Sequence, residues 1–264
     1  MLKRPRSIAL TAGALAALVL GTATPASAIT YGTPDGNAHP YVGALIADEV
    51  FSDGTWAYCS GTLVSPTVFV TAAHCGDPGQ TTARVSFSTA YQDGDKVHTG
   101  KYVPHPEYGS GGQSDAHDLA VVVFNKPVNG ITPARLPGAG LVDRMKANGT
   151  LNAATFTSVG YGSLEPLKGP GGHRYRYDDT RNQASGSYRS HTDAWLRLSQ
   201  NPSTGDGGTC YGDSGGPNFL GGPDSNLLVA TTITGDAVCR STNTDYRLDT
   251  PAARAFLDDY VTLP

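Results

Sequence analysis

Short apolar runs punctuated by turn residues set the pattern of this chain. Val42-Gly43-Ala44-Leu45-Ile46 is the first. Tyr58-Cys59-Ser60-Gly61-Thr62-Leu63-Val64 and Val68-Phe69-Val70-Thr71-Ala72-Ala73 follow, joined by a turn at Ser65-Pro66. Leu119-Ala120-Val121-Val122-Val123-Phe124 is another, and residues 154–162 and the alternating Ala194-Trp195-Leu196-Arg197-Leu198 lie beyond it. Runs of this length between Gly, Pro, Asn and Ser predict β-strands. The tail predicts a helix instead. Thr250 can cap it, Pro251 suits its first turn, and Ala252, Ala255, Phe256 and Tyr260 fall on one face. Residues 163–185 are rich in Gly, Pro, Arg and Tyr without a clear period, which predicts a long surface loop. Its run His173-Arg174-Tyr175-Arg176-Tyr177 has the composition to bind an anion, but Asp178 and Asp179 beside it point to a solvated loop.

Composition agrees with an all-β protein. Only 16% of the 264 residues are charged, and Gly is abundant at 33 residues, as many tight turns require. The length suits one large domain or two small ones, each able to bury a core. Residues 1–28 read as a secretory signal peptide. Lys3, Arg4 and Arg6 give a basic start, Ile8 to Leu20 an apolar stretch too short to span a membrane, and Ala26-Ser27-Ala28 a small-residue cleavage site. Its removal takes the net charge from −4 to −7, because three bases and no acid are lost. An acid excess excludes nucleic acid and anionic membrane as main partners. Export to an oxidising compartment lets the four cysteines pair, with three pairings open.

Two stretches carry chemistry. Gly212-Asp213-Ser214-Gly215-Gly216-Pro217 has the form of a nucleophile loop. A glycine at 212 lets backbone N–H groups crowd toward one point, where an oxyanion can be held. Alone, such a stretch is an ordinary turn. Thr71-Ala72-Ala73-His74-Cys75 supplies what a serine hydroxyl lacks, a base to take its proton. None of the other histidines (His39, His98, His105, His117, His173, His191) has metal-ligand spacing to a second His or Cys, and His105 reads as a loop residue.

Together the two stretches resemble the chymotrypsin-like serine peptidases of the trypsin family, in their secreted bacterial form. The resemblance runs over essentially all of residues 29–264. It implies an all-β fold of two antiparallel six-stranded barrels with a C-terminal helix, the first over 29–140 and the second over 141–264. Ser214 is then the nucleophile and His74 the base. Asp118, just before the apolar run at Leu119, orients His74, with Asp115 as the runner-up. The order His, Asp, Ser is that of chymotrypsin rather than of subtilisins or α/β-hydrolases. The N–H groups of Gly212 and Ser214 form the oxyanion hole. Cys59 pairs with Cys75 and Cys210 with Cys239.

Cleavage after Ala28 leaves Ile29-Thr30-Tyr31-Gly32, which resembles the start of active family members, whose free amine pairs with the carboxylate preceding the nucleophile, here Asp213. The alternative is that Ile29 merely begins an edge strand. Gly208 takes the specificity position that carries Asp in trypsin-like enzymes, and Ile233-Thr234-Gly235 replaces the usual Ser-Trp-Gly edge. Asp245 lies near a second floor position. Inside the pocket it selects Arg or Lys; pointing away, it leaves a preference for apolar or aromatic side chains. The mechanism needs no metal or organic cofactor. The expected partners are protein or peptide substrates and protein protease inhibitors, and the expected working unit is a monomer. Two rivals remain: a catalytically silent binding protein on the same fold, and an esterase using the same residues.

Overall fold

Strands form where apolar runs can be covered on one or both faces, and here two sheets do so by closing on themselves. The computed structural model describes residues 29–264; the expected signal peptide lies outside them. After the two-residue β1 (Thr33–Pro34), six strands make the first barrel: β2 (Val42–Ile46), β3 (Ala57–Ser65), β4 (Val68–Thr71), β5 (Thr82–Ser86), β6 (His98–Pro104) and β7 (Ala120–Phe124). Their order around it is β2-β3-β4-β7-β6-β5, and every pairing is antiparallel. Leu45, Leu63, Phe69, Val85 and Val122 are fully buried within one apolar cluster.

A short helix, α1 (Leu141–Ala147), leads to the second barrel. This half contains β8 (Thr155–Gly160), the small hairpin β9 (Leu167–Gly169) and β10 (Gly172–Arg174), then β11 (Asn182–His191), β12 (Trp195–Ser199), β13 (Pro217–Leu220), β14 (Leu228–Gly235) and β15 (Thr242–Arg247). The ring β8-β11-β12-β15-β14-β13 closes through β13 and β8, again antiparallel. Helix α2 (Pro251–Asp258) ends the chain, and Thr250 Oγ1 accepts the Ala253 N–H at 3.3 Å as its cap. The expected fold of two six-stranded barrels with a terminal helix is the one observed. Both disulfides form, Cys59–Cys75 and Cys210–Cys239.

Two expectations need correction. Residues 163–185 are not simply a surface loop. They hold the β9–β10 hairpin and the start of β11, and Asp179 and Arg181 are only 4% and 1% exposed. Both can be buried because their polar atoms are matched. Asp179 accepts the N–H groups of Trp56 (2.8 Å) and Ala57 (2.9 Å). The N-terminal stretch reaches across to the second barrel, where β1 pairs with β11. On α2 the covered face is Ala253, Phe256 and Leu257, whereas Ala255 is exposed.

Candidate active site

The histidine sits where β4 gives way to a tight turn, Ala73–Cys75, fixed by the Cys59–Cys75 bridge. Tyr102 donates its hydroxyl to the carbonyls of Ala72 (2.9 Å) and Ala73 (2.8 Å), which steadies the same turn. β4 and β7 are neighbours, with Thr71 opposite Ala120, so the residues just beyond that end of the pair meet. His74 donates its backbone N–H to Asp118 Oδ1 (2.9 Å), and its Nδ1 lies 2.7 Å from Asp118 Oδ2. The carboxylate is 7% exposed and the imidazole 29%, so the ring reaches solvent while the acid that holds it does not. Asp115, the runner-up, is engaged elsewhere: its Oδ1 accepts the Tyr246 hydroxyl at 2.9 Å and the His117 N–H at 3.0 Å.

The serine loop comes from the second half and rests on the first. Ser60 on β3 donates its N–H to the Ser214 carbonyl (2.8 Å), and Cys75 Sγ lies 3.6 Å from that oxygen. Ser214 therefore lies beside the residue that follows His74. Such contact needs a glycine at 215, because a Cβ there would stand 2.2 Å from Thr71 Oγ1 and 2.6 Å from the Ser60 carbonyl. Gly212 has φ +92°, which other residues rarely adopt. Among the described residues, neither the Gly212 nor the Ser214 N–H donates a hydrogen bond. Unspent donors next to a serine hydroxyl suit a site where negative charge develops.

Asp213 between them is fully buried. Its two oxygens accept the N–H groups of Gly162 and Cys210, each at 2.8 Å. Burial pushes its pKa up to about 7 in spite of those bonds, and no cation among the described residues pairs with it. Ile29 is also fully buried. Its neighbour Thr30 exchanges backbone hydrogen bonds with Gly208, at 2.9 and 3.0 Å.

A cavity of about 110 Å³ opens beside Ser214, with Thr209, Ile233, Thr234, Gly235 and Asp236 in its walls. Asp245 is not part of it. Its strand neighbours are Leu196 and Thr232, and its side chain turns into the second barrel. There Asn218 Nδ2 donates to Asp245 Oδ1 at 2.8 Å, while Oδ2 has no partner. Burial raises this carboxyl well above its ordinary range. The placement follows from the pleat, which sends successive side chains to opposite faces.

Gly208 lies against the Gln200 side chain and, unlike its neighbour Thr209, does not line the cavity. A Cβ at 208 would stand 2.5 Å from Gln200 Oε1. Gln200 is fully buried and donates to Asp236 Oδ1 at 3.3 Å. Asp236 and Gln200 were not foreseen. Partial burial works against ionisation of Asp236, but the N–H groups of Thr242 (2.8 Å), Arg240 and Ser241 (2.7 Å) outweigh it and hold the carboxyl below the usual range.

Two closed antiparallel barrels, with a serine loop, a histidine and a buried carboxylate at their junction, define the class of β-barrel serine hydrolases. The Trypsin family model matches residues 33–257, and the chain belongs to that family. It is a serine endopeptidase, a hydrolase acting on protein and peptide substrates. It is 29% identical over 216 residues to a trypsin of Saccharopolyspora erythraea, an alignment covering 76% of this chain and 84% of the relative. It is 28% identical to human kallikrein-2, over 72% of this chain and 74% of that protein. Mouse kallikrein 1-related peptidase b27 is also 28% identical, with 70% and 73% covered.

Proposed function

We propose that this protein is an exported endopeptidase that works through Ser214, His74 and Asp118. The Ser214 hydroxyl adds to the scissile carbonyl while His74 takes its proton. His74 then gives that proton to the leaving amine, and an acyl-enzyme remains. Water adds to the ester in the second half, again losing its proton to His74, and Ser214 is regenerated. Asp118 keeps His74 in the tautomer with its free nitrogen facing the serine. The Gly212 and Ser214 N–H groups take up the charge on the carbonyl oxygen. The observation that carries this reading is the double contact of Asp118 with His74, beside a serine loop whose N–H donors are unspent.

Export is read from residues 1–28, and the two disulfides suit an oxidising compartment. Among the described residues no helix is long and apolar enough to cross a membrane. Cleavage after Ala28 frees the Ile29 amine, and that cation pairs with Asp213. A buried carboxylate with a raised pKa and no cation is the group such an amine would stabilise. The division into barrels at 29–140 and 141–264 belongs to the same reading.

For specificity, the position of Asp245 favours an uncharged side chain before the scissile bond. The pocket is small, and the carboxylate in its wall, Asp236, already accepts several backbone N–H groups. A preference for Arg or Lys is the second reading, favoured by the ionised state of Asp236. The test is a peptide panel varying only that residue, with the mature protein and Ser214→Ala side by side. Cleavage after apolar residues, lost in the variant, supports the first reading; cleavage after Arg or Lys supports the second. No cleavage by a folded protein with a free Ile29 amine turns the reading to a binding protein.

A further inference from the structure

The histidines show no metal-ligand spacing along the chain, yet folding brings two of them together. The backbone pairing of β6 with β7 continues past Pro104 and Ala120, with the His105 N–H donating to the Leu119 carbonyl at 2.8 Å. The loop between them closes like a long hairpin, and its two ends stack His105 on His117. The ring centroids are 4.7 Å apart and the planes 28° from parallel. His117 has φ +48°, the left-handed region that few non-glycine residues enter. That turn aims its Nε2 between two carboxylates, 3.6 Å from Glu107 Oε2 and 3.7 Å from Asp115 Oδ2.

Those distances are too long for hydrogen bonds. The other nitrogen of His117, Nδ1, is buried without a partner. An imidazole only 14% exposed thus has neither nitrogen hydrogen-bonded among the described residues. Such groups are ordinarily satisfied. One ligand atom from each of His105, Glu107 and His117 lies within 4.8 Å of the others.

We propose that His105, Glu107 and His117 bind a divalent first-row metal ion of the zinc type, with Asp115 beside His117. Two imidazoles and a carboxylate form a donor set that zinc accepts, whereas calcium and magnesium seek oxygen ligands. Bonds of about 2.0–2.2 Å to a tetrahedral ion set neighbouring donors roughly 3.3–3.5 Å apart. His117 Nε2 and Glu107 Oε2, 3.6 Å apart, are close to that, while the three donor atoms lie within 4.8 Å of one another and the stacked imidazoles rotate so that both nitrogens face one ion. Asp115 is held in position through its other oxygen by Tyr246 and the His117 N–H, the kind of support that orients metal ligands.

Binding has one local cost. His105 Nδ1 accepts the Glu107 N–H at 3.1 Å. Whichever ring nitrogen takes the ion, this hydrogen bond is lost, because Nδ1 is then either ligated or protonated. The gain is a clamp across the loop whose end carries Asp118. The other histidine-containing group of potential ligands, Cys59, His74 and Cys75, is no rival, because both sulfurs are in the disulfide.

The proposal does not depend on the peptidase reading, so it is tested in Ser214→Ala protein, which also prevents self-digestion. Zinc chloride is titrated by calorimetry, and cobalt(II) by its visible absorption. One ion should bind per chain and raise the melting temperature. His117→Ala and Glu107→Gln should each weaken binding at least the ~10-fold seen for disturbed metal sites. Glu107 is 66% exposed, so its variant keeps the fold even where His117→Ala does not. His191→Ala should change nothing, although His191 is also near a carboxylate, 3.3 Å from Asp143. Absence of saturable binding, binding that survives both substitutions, or binding lost only with His191 would overturn the proposal.

Discussion

Asp118 holds His74 twice, once through the backbone and once through the ring: Oδ1 accepts the main-chain N–H at 2.9 Å and Oδ2 sits 2.7 Å from Nδ1. The first contact sets the turn and the second sets the tautomer. Asp118→Asn separates them. Its amide oxygen can serve only one of the two donors, and its NH₂ group favours the wrong tautomer at Nδ1. The expected result is a folded protein whose kcat falls about 10⁴-fold, the size of loss this change causes in related triads. Circular dichroism and burst kinetics on one preparation check it. A kcat within tenfold of the parent would remove Asp118 from the mechanism.

Asp213 gives a pH test of processing. With residues 1–28 attached, the folded chain keeps the proton of Asp213 up to about pH 7, whereas an unfolded carboxyl releases it near 4. The folded state thus binds more protons across that window, so stability falls as pH rises from about 4 to 7. Asp213→Asn should flatten this slope in the unprocessed chain. Freeing the Ile29 amine should flatten it too, by supplying a cation. Melting temperature against pH for the three proteins is the measurement. Equal slopes in all three would mean that Asp213 finds its cation without processing.

What the sequence reveals depends on how local the cause is. The runs at Val42–Ile46 and Leu119–Phe124 are legible because nearly every side chain is apolar and buried. The motifs at His74 and Ser214 are legible because tight turns and their neighbours fix the residue types over five or six consecutive positions. β11 is not legible. Its covered positions are Asn182, Ala184 and Gly186, so it has no apolar alternation to detect. Asp179 and Arg181 look solvated because the partners that justify their burial lie far away, at Trp56, Ala57 and Asp35. Asp245 is the reverse case: the right chemistry a short way from the pocket, on the wrong face of its strand. The His105–His117 contact comes from strand pairing, which spacing along the chain does not report.

Asp245 and Asp236 can be told apart by experiment. Asp245→Asn should leave the peptide preference unchanged, because the side chain faces the barrel core. It should also alter the response to pH. Burial raises this carboxyl, so its ionisation opposes folding and stability falls as pH climbs above the ordinary carboxylate range. Urea unfolding at pH 5 and pH 8 should show a smaller drop for the variant than for the parent. Asp236→Asn should change kcat/KM unequally across the peptide panel, since that side chain lines the cavity. Altered preference with Asp245→Asn and none with Asp236→Asn would reverse these roles.

The contact between the barrels rests partly on Arg181. Its Nε donates to Asp35 Oδ2 at 2.8 Å, and both side chains are fully buried. The remaining guanidinium donors reach the Val42 carbonyl on β2 (2.9 Å), Tyr161 (3.3 Å) and Asn37 (2.9 Å). His39 Nδ1 is 2.5 Å from the second oxygen of Asp35. Burial works to raise the Asp35 pKa, but His39 and Arg181 outweigh it and keep it below the usual range. Breaking such a pair from one side leaves an uncompensated buried charge, at a cost of about 3–5 kcal/mol. Arg181→Met and Asp35→Asn should each lose that amount in urea unfolding at pH 7, while the double variant should lose less than their sum. The sign with acid is fixed as well. A depressed folded pKa contributes stability above the unfolded value and loses it as pH falls through the folded one. The parent should therefore weaken below about pH 4 more steeply than Asp35→Asn. Because the serine loop of the second barrel rests on Ser60 of the first, kcat/KM of Arg181→Met should fall even where the protein remains folded. A loss below about 1 kcal/mol, the scale of an exposed ion pair, would show that Arg181 does not hold the barrels together.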